Sequence, residues 1–445
     1  MAAIPVNPAG LALHIATGLP AQPGALAVDT HRDADVPLRA AEELPFEDAA
    51  AATIVLGAMV AGLSAGERLN LLIECRRVLR PGGVLTLAVS ALRVLGSLVR
   101  IVGLDPLDAV EGAVASTPAD ATDHDAAGGS SAAFTKRDRT LHGDPLVTIA
   151  IPAYNARYFA ACLDSALAQT YDPLEIVVCD DSADTTIEAL VAARQRRRSI
   201  RYERNASRLR PRGNFLRTFE RASGTFIKFL CDDDLLAPTA VAELLEAFRR
   251  APDVTLATSR RRRIGPESEA LPDSPATTPI AARDTLVAGH TLANAMLMAG
   301  LNTVGEPTTA LFRKDEFEAV ATNGFGFRGE HGHGIIDMVM WTSLLLKGHA
   351  VYRTTPLSGF RSHPDQRQHD PGMRGRNTES IRSLQRLWLD LGLPALLRPD
   401  AILAKPFPPD DTDWRLQPLL GFAARPVERS VRAPAHAHRQ RYGNR

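Results

Sequence analysis

The sequence predicts an α/β protein in which two Rossmann-like domains are joined by a linker. Short apolar runs alternate with segments of helical periodicity over residues 1–110 and again over residues 144–375. Residues 111–143 are rich in Ala, Asp, Ser and Gly, which is typical of a flexible linker. The alternation favours a mostly parallel sheet covered by helices on both faces. Residues 376–445 are predicted to form one helix, from Glu379 to Leu391, and then a loosely ordered tail.

The elements of the second region follow in a regular order. Residues 146–152 (LVTIAIP) and 175–181 (EIVVCDD) are apolar runs bounded by turn residues, which predicts two buried strands. Between them, ARYFAACLDSALAQ places Cys162 and Ala166 on one face of a predicted helix. The pattern continues with a helix from TTIEALVAARQRR, a strand from IRYERN, a helix from GNFLRTFERA, a strand from FIKFLC, and a helix whose first turn contains Pro238.

Composition and charge argue against several classes of function. Lys plus Arg and Asp plus Glu number 51 each in the 445 residues, and aromatic residues make up 5%. Neither charge nor stacking surface therefore favours a nucleic-acid partner. Apolar runs are too short, or too often interrupted by arginine, to span a bilayer, so we expect at most peripheral membrane contact. The four cysteines form no CxxC pair and the N-terminus lacks a basic segment before a long apolar core, which favours a cytoplasmic protein without a zinc site.

Two of the predicted strands end in acidic residues. VVCDD ends at Asp180 and Asp181, and FLCDDD ends at Asp232, Asp233 and Asp234. Ligands of open α/β sheets bind beyond the carboxyl ends of the strands, so these carboxylates are placed to hold a hard cation that bridges to phosphate oxygens. The sequence therefore predicts a Mg²⁺ or Mn²⁺ site. The alternative is that the triplet is a solvated turn before the next helix, where acids are common.

The same residues resemble a known family. PLVTIAIPAYNARYFAACLDSALAQTYDPLEIVVCDDSADTT, followed by the acidic triplet, is similar to the family 2 glycosyltransferases. The family pattern opens with a strand that ends P-x-Y-N, and its next strand ends D-D-x-S-x-D, with the serine one place early in this chain. The resemblance implies the GT-A nucleotide-diphospho-sugar transferase fold, which is Rossmann-like with a mixed, mostly parallel sheet. Further matches are the pair Gly213-Asn214 and the turn Ala222-Ser223-Gly224.

The resemblance implies a role for each acidic position. Asp233 would ligate a divalent ion that neutralises the diphosphate as the glycosidic bond breaks, and Asp232 would face the ribose or the metal. Asp234 would be a further metal contact or a charge at the helix start. Many relatives carry D-x-D-D, whose first position here is a cysteine, so the choice of ligand stays open. The predicted nucleotide-sugar contacts are Asp180 and Asp181 at the base, Asp232, and the pocket residues Pro152, Ala153, Tyr154 and Asn155.

A downstream segment supplies the remaining predicted roles. GIIDMVMWTSLLLKGHAVYRTTPLSGFRSHPDQRQHD resembles the closing segment of the family, which carries an acid at a helix start and then an R-x-H-x-x-Q run. Asp337 matches the acid and would act as general base, taking a proton from the acceptor hydroxyl as that oxygen attacks the anomeric carbon. Attack from the opposite face implies inversion. Arg361 and His363 match the run and would close over the diphosphate. An acid at a helix start also has a purely structural explanation in the helix dipole.

Residues 11–90 resemble a second family, the class I methyltransferases that use S-adenosylmethionine. LALHIATGLPAQPGALAVD is similar to their first strand, glycine turn and second strand, and RRVLRPGGVLTLAVS matches a later landmark. The turn keeps only Gly18 of the glycines that let the backbone approach the cofactor. We therefore predict a degenerate methyltransferase-like domain with a docking or structural role, and do not expect it to bind S-adenosylmethionine.

The sequence thus predicts a metal-dependent, inverting glycosyltransferase. Its donor would be a nucleotide-diphosphate sugar, and its acceptor a glycan, a lipid-linked sugar or a protein in surface glycan or glycoconjugate synthesis. Two alternatives remain: a bifunctional enzyme that also methylates, and a non-catalytic scaffold that retains both folds. The sugar, the nucleotide base and the acceptor stay open, because the shape of the pocket sets them.

Overall fold

The structure is a computed structural model that describes residues 11–15, 25–29, 36–37, 50–56, 60, 63–87, 91, 95, 98–99, 101–106, 132–195, 200–322, 326–327, 330–331, 335–364, 366, 371–392, 398–410 and 414–420. Two α/β domains are present, each built on one large sheet. The first domain contains strands β1–β7 and the second domain contains strands β8–β21. Several predictions for the N-terminal region, among them Gly18 and its turn, lie outside the described residues.

The first sheet has a doubly wound strand order. Its strands lie in the order β3-β2-β1-β4-β5-β7-β6, parallel as far as β5 and antiparallel from β5 to β7 and from β7 to β6. The order 3-2-1-4-5 is that of Rossmann-type sheets. The bounds are β1 Leu11–Ile15, β2 Ala25–Asp29, β3 Val36–Pro37, β4 Ala51–Leu56, β5 Leu79–Leu87, β6 Leu104–Pro106 and β7 Ala132–Lys136, with helix α1 at Ala65–Val78.

Strand β7 corrects the predicted linker. Residues 132–136 were placed in the linker on composition, but they close the first sheet as the antiparallel neighbour of β5. The segment AAFTK is too short and too rich in alanine to show a strand pattern by itself, so pairing with β5 decides its structure. Residues 111–131 lie outside the described residues.

The second sheet has the order β10-β9-β8-β11-β16-β13-β19-β15-β20-β21, with β12 paired to β19 and β14 paired to β13. A separate ribbon pairs β17 with β18. The strands are β8 Val147–Ala153, β9 Leu174–Asp180, β10 Ile200–Arg204, β11 Phe226–Phe229, β12 Leu235–Leu236, β13 Val254–Ile264, β14 Ala270–Leu271, β15 Thr285–Ala288, β16 Leu311–Arg313, β17 Gly326–Phe327, β18 Glu330–His331, β19 His349–Arg361, β20 Ala401–Pro406 and β21 Arg415–Pro418. The helices are α2 Ala156–Leu167, α3 Thr186–Ala192, α4 Arg210–Arg221, α5 Ala240–Arg250, α6 Gly289–Ala299, α7 Lys314–Thr322, α8 Ile336–Leu345 and α9 Pro371–Asp390.

The predicted strands and helices of residues 146–250 are present, with small shifts at their ends. Helix α5 begins at Ala240, two residues after Pro238, and Thr239 takes the N-cap position. The prediction of a mostly parallel sheet is wrong for the second domain. Strands β10, β9, β8 and β11 are parallel, but β16 runs antiparallel between β11 and β13, and β15, β20 and β21 add further antiparallel pairs. A buried apolar run shows the same pattern in either direction, so periodicity alone does not determine strand direction.

The predicted loose tail is also corrected in part. Helix α9 covers the predicted helix and begins earlier, at Pro371. Strand β20 extends the second sheet by antiparallel pairing with β15, and β21 pairs antiparallel with β20. Residues 421–445 lie outside the described residues. All four cysteines are free. Within the described ranges, no helix combines the length and the apolar character that a transmembrane span requires.

The two domains are in direct contact. Buried apolar residues of α1, including Leu72 and Cys75, belong to the same core cluster as Trp388 and Leu391 of the second domain. The backbones of the two domains also meet at Gly66 and Gly392, where a Cβ atom added to Gly66 would lie 2.5 Å from the carbonyl oxygen of Gly392. The first domain is therefore packed on the second rather than merely connected to it by chain.

Candidate active site

A cavity of about 570 Å³ opens beyond the carboxyl ends of β8, β9 and β11. This is the edge of the sheet at which the sequence predicts the acidic residues to meet, because parallel strands end together there. The lining residues are Pro152, Tyr154, Asn155, Asp181, Arg208, Arg210, Pro211, Asn214, Phe215, Cys231, Asp232, Asp233, Asp234, Glu306, Pro307, Ile336, Asp337, Phe360, His363, Gln366 and Asn377.

Asp232 is held by the turn that follows β8. Its Oδ2 atom accepts hydrogen bonds from the backbone N–H groups of Tyr154 and Asn155, each 2.7 Å long. Burial and the neighbouring charge of Asp233 raise the pKa of Asp232 to about 7, against the two backbone donors, which lower it. The P-x-Y-N turn and the acidic triplet are therefore one structural unit, although 77 residues separate Asn155 from Asp232.

Asp233 faces the segment that follows β19. Its Oδ2 atom lies 3.1 Å from Nε2 of His363, and the amide of Gln366 lies 3.4 Å from the same oxygen. The side chain of His363 is 4% exposed, and Asp233 is 21% exposed. The structure thus brings together Asp233 and His363, which the sequence places in two separate motifs.

Asp234 turns away from its two neighbours. It is 2% exposed, its Oδ2 atom accepts a 2.7 Å hydrogen bond from the Thr308 hydroxyl, and its Oδ1 atom accepts from the backbone N–H of Arg361. Burial and the charge of Asp233 raise the pKa of Asp234 well above its usual range. Each oxygen of Asp234 accepts one hydrogen bond from the protein and Asp234 also lines the cavity, so its predicted role as a metal contact stays a prediction.

Arg361 does not occupy the predicted position over a diphosphate. It is 1% exposed, and its guanidinium donates to the carbonyl oxygens of Asp233, Gly265 and Pro266 and to the hydroxyl of Ser268. The guanidinium also lies over the ring of Tyr158, 4.5 Å from its centroid. Arg361 therefore stabilises the backbone around the acidic triplet, since its guanidinium donates to backbone carbonyls and does not face the cavity.

The two acids at the end of β9 also have different environments. Asp180 is fully buried and accepts hydrogen bonds from the Tyr202 hydroxyl and the Ser182 N–H, so it supports the strand end and does not line the cavity. Asp181 lines the cavity, but accepts hydrogen bonds from Asn205, from the N–H of Leu209 and from the N–H of Arg210. A carboxylate has about four acceptor positions, so one remains for a ligand.

The end of β8 forms the wall beside Asp181. Tyr154 is 49% exposed, and the guanidinium of Arg208 lies 4.4 Å from its ring centroid. Ala153 is fully buried, and its carbonyl accepts a 3.0 Å hydrogen bond from the side chain of Asn214. The structure therefore places Tyr154, like Pro152 and Asn155, at the cavity, whereas Ala153 contributes through its backbone.

Asp337 lies in the first turn of α8, as the sequence predicts, and lines the same cavity. Its Oδ2 atom accepts a 2.7 Å hydrogen bond from Nδ2 of Asn302, and its Oδ1 atom accepts from the N–H of Met338. Loss of water from the carboxyl group raises its pKa to about 6, and the charge of Glu306 contributes to the rise. A carboxylate poised this close to neutral pH is suited to general base catalysis.

Three residues at the cavity were missed by the sequence analysis. Glu306 is the N-cap residue of a short 3-10 helix at residues 307–309. Its Oε2 atom lies 2.9 Å from Nε of the buried Arg261. Asn302 orients Asp337, and Arg208 stacks on Tyr154. Glu306 stands in the segment GEPTTALFRKDEF, in which no local pattern distinguishes its side chain from that of a surface acid.

The side chains at the cavity can bind a divalent ion only if a bound substrate and water supply further coordinating atoms. Within the ranges that the structure describes, no group of three or more His, Cys, Asp or Glu side chains is arranged to hold a metal. Asp233 and His363 provide one carboxylate oxygen and one imidazole nitrogen at the same point of the wall. Mn²⁺ and Mg²⁺ commonly combine one or two protein ligands with substrate phosphates and water, so this pair fits such a site.

Comparison with known proteins agrees with the motifs at this cavity. Residues 148–320 match the family model described as glycosyl transferase family 2. This segment of the chain is similar to that family. The matched segment, residues 148–320, includes the P-x-Y-N turn, the acids at the end of β9, the acidic triplet and Glu306, and it ends before Asp337.

Curated relatives match parts of the chain. An uncharacterized protein of Mycobacterium tuberculosis (strain CDC 1551 / Oshkosh) is 31% identical over 221 residues, which are 48% of this chain and 66% of that protein. The chondroitin synthase of Pasteurella multocida (strain Pm70) is 34% identical over 138 residues, 30% of this chain and 14% of the synthase. The hyaluronan synthase of Pasteurella multocida is 33% identical over 138 residues, with the same two shares. The chain thus spans less than two thirds of each of these relatives.

Solved structures give weaker likenesses. S. aureus TarS 1-349 in complex with UDP is 17% identical, with a TM-score of 0.40 over 54% of this chain and 64% of that chain. A mannosyltransferase from Pyrobaculum calidifontis in complex with GDP-Man and Mn²⁺ is 17% identical, with a TM-score of 0.39 over 55% of this chain and 64% of that chain. Because both TM-scores are below 0.5, neither likeness bears on the function of this chain.

Proposed function

We propose that the protein is a metal-dependent, inverting glycosyltransferase that moves a sugar from a nucleotide-diphosphate sugar to an acceptor hydroxyl. The observation that carries the proposal is the convergence of three elements on one cavity: Asp232 bonded to the turn after β8, Asp233 beside His363, and Asp337 at the start of α8. A solvated acidic turn, the alternative for the triplet, does not explain why Asp234 is 2% exposed.

Asp233 and His363 would hold the divalent ion. When bound, such an ion neutralises charge on the leaving diphosphate, and the protein side chains fix where that charge lies. Asp232 would remain bonded to the turn after β8 and so keep the nucleoside wall in register with the metal ligands. Asp181, Tyr154 and Asn155 line the part of the cavity that would receive the nucleoside.

Asp337 would accept the proton of the attacking hydroxyl. The hydrogen bond from Asn302 fixes the carboxylate, and its raised pKa of about 6 makes it a stronger base than an exposed aspartate. Attack on the anomeric carbon from the side away from the diphosphate, in a single displacement, would give inversion.

The similarity to chondroitin and hyaluronan synthases supports a role in glycan synthesis for the protein, whose residues 148–320 match the family model. We propose that the acceptor is a glycan or a glycoconjugate. The first domain has a Rossmann-type strand order, but its predicted cofactor turn lies outside the described residues, so the methyltransferase resemblance stays a prediction.

A thermal-shift screen of UDP- and GDP-sugars, with and without Mn²⁺, tests the proposal. A donor at 100 times its dissociation constant should stabilise the protein by about 2.7 kcal/mol, and we expect this shift only with Mn²⁺ present. Asp233→Asn should remove the metal-dependent shift. Asp184→Asn, which changes an exposed acid outside the cavity, is the matched control and should retain it. The proposal fails if no donor gives a metal-dependent shift, or if Asp233→Asn responds like wild type.

A further inference from the structure

Helix α8 connects the cavity to the contact between the two domains. Asp337 lies in its first turn, and its ten residues span ~15 Å. At the cavity end, Asn302 bonds Asp337, and the indole N–H of Trp341 donates to the carbonyl of Gly305. At the far end, the helix leads into a turn at residues 346–348.

The first contact with this turn centres on Asp253. Nζ of Lys136, at the end of β7 in the first domain, lies 2.8 Å from Oδ2 of Asp253, and Lys136 is 1% exposed. The carbonyl of Asp253 accepts a 2.9 Å hydrogen bond from the N–H of His349, and a Cβ atom on Gly348 would lie 2.4 Å from the same carbonyl. A buried charge of the first domain thus fixes the residue on which the turn after α8 rests.

A second contact centres on Glu316 of α7. Its carboxylate pairs with the guanidinium of Arg139, just after β7, and both side chains are at most 4% exposed. Lys347, in the turn after α8, donates from Nζ to the backbone carbonyl of Glu316. Gly103 of the first domain packs on Lys347, because a Cβ atom there would lie 3.1 Å from Cβ of Lys347.

We propose that the first domain is a docked positioning module, in which Lys136 and Arg139 hold the far end of α8 and thereby fix Asp337 at the cavity. Buried charges are stable only when their partners are in place, so separation of the domains would remove Lys136 and Arg76 from Asp253 and would leave Glu316 only the more distant Lys347, 3.9 Å away. A helix transmits such a constraint because its hydrogen-bonded turns move together. Lys136 and Arg139 are positioning residues, since they act on Asp337 through α8, and their role in catalysis rests on the proposed function.

Hydrogen exchange of the full-length chain tests this coupling without knowledge of the substrate. In Arg139→Met, amides of residues 336–345 should exchange about tenfold faster, the change that ~1.4 kcal/mol of lost local stability produces. Amides of α2, which belongs to the same domain and lies outside the docking contact, should exchange as in wild type. Arg139→Lys should recover part of the protection.

Arg137→Met is the matched control. Arg137 is 37% exposed and pairs with Asp105 and Asp315 at the rim of the same contact, so its loss should change little. If Arg139→Met does not fold, Lys136→Met makes the same test, because Arg76 remains beside Asp253. Unchanged exchange over residues 336–345, or equal acceleration in α2, would show that the first domain is merely attached.

The outcome is separable from that of the proposed function. If Mn²⁺-dependent donor binding fails but exchange in α8 responds to Arg139→Met, the docking role stands and the glycosyltransferase assignment falls. If donor binding is observed and α8 does not respond, the enzyme assignment stands and the positioning role falls.

Discussion

At the scale of single residues, three consecutive carboxylates have three different environments. Asp232 accepts from backbone N–H groups, Asp233 faces His363, and Asp234 is buried against Thr308 and Arg361. Like charges this close are tolerated because a separate set of donors satisfies each one. The arrangement leaves Asp233 as the member of the triplet best placed to bind a cation.

Asp337 should give the reaction its acid limb. A general base must be deprotonated, so a pKa raised to about 6 predicts that kcat/KM falls as the pH drops through about 6, and not through the lower range of an exposed aspartate. Asp337→Asn should lower kcat by about 10²–10⁴. A pH–rate profile with the donor found in the screen checks both. An acid limb centred near pH 4 would argue against Asp337 as the base.

Arg361 should prove to be a stability residue. Arg361→Ala removes the charged donor from three carbonyls and a hydroxyl in a buried position, so we expect a loss of about 3 kcal/mol in the free energy of unfolding. Urea unfolding measures it. Arg262→Ala, which changes an exposed arginine on β13, should stay within ~0.5 kcal/mol of wild type. A folded, fully stable Arg361→Ala variant that lost donor binding would instead support the predicted contact between Arg361 and the diphosphate.

At the scale of elements, β11 owes its position to a close approach at its start. Gly224 donates from its N–H to the hydroxyl of Thr148, and a Cβ atom there would lie 2.6 Å from the backbone nitrogen of Thr148 on β8. Because β11 carries the acidic triplet and β8 carries the turn that bonds Asp232, the pairing of these two strands sets the geometry of the cavity.

Gly224→Ala should therefore destabilise the protein. The added methyl group meets backbone, which yields less than a flexible side chain, so we expect a loss of about 1–3 kcal/mol in the free energy of unfolding. Gly375→Ala is the control, since nothing lies within 4 Å of the added atom in helix α9. That change should stabilise by about 0.5–1 kcal/mol. Equal effects of the two substitutions in urea unfolding would contradict the close approach.

At the scale of the whole molecule, the shared apolar cluster and the buried ion pairs join the two domains. They should unfold in one cooperative transition. All three tryptophans, Trp341, Trp388 and Trp414, lie in the second domain, so their fluorescence reports that domain, whereas far-ultraviolet circular dichroism reports both. We expect coincident urea curves from the two probes. A circular dichroism change that precedes the fluorescence change would show that the first domain unfolds independently.

Local pattern was sufficient to predict most of the elements of residues 146–250. Buried strands and amphipathic helices have characteristic hydrophobic periods that can be recognised in the sequence. Acids placed directly after parallel strands lie at the same edge of the sheet. The triplet was found from its place directly after a strand, and the P-x-Y-N turn and Asp337 were found through the resemblance to the family 2 glycosyltransferases. Strand direction, the addition of β7 to the first sheet and the pairing of β20 and β21 were missed, because each depends on partners distant in the chain.

The sequence by itself determined that acids end two strands of the second sheet, and the family resemblance added Asp337 at the start of a helix. Only the tertiary structure decided how each of these side chains is placed. It buried Asp180, Asp234 and Arg361 and placed Asp233 beside His363. The physical reason is that a polar side chain is oriented by the donors and acceptors that packing brings to it, and residues far away in the sequence supply most of these.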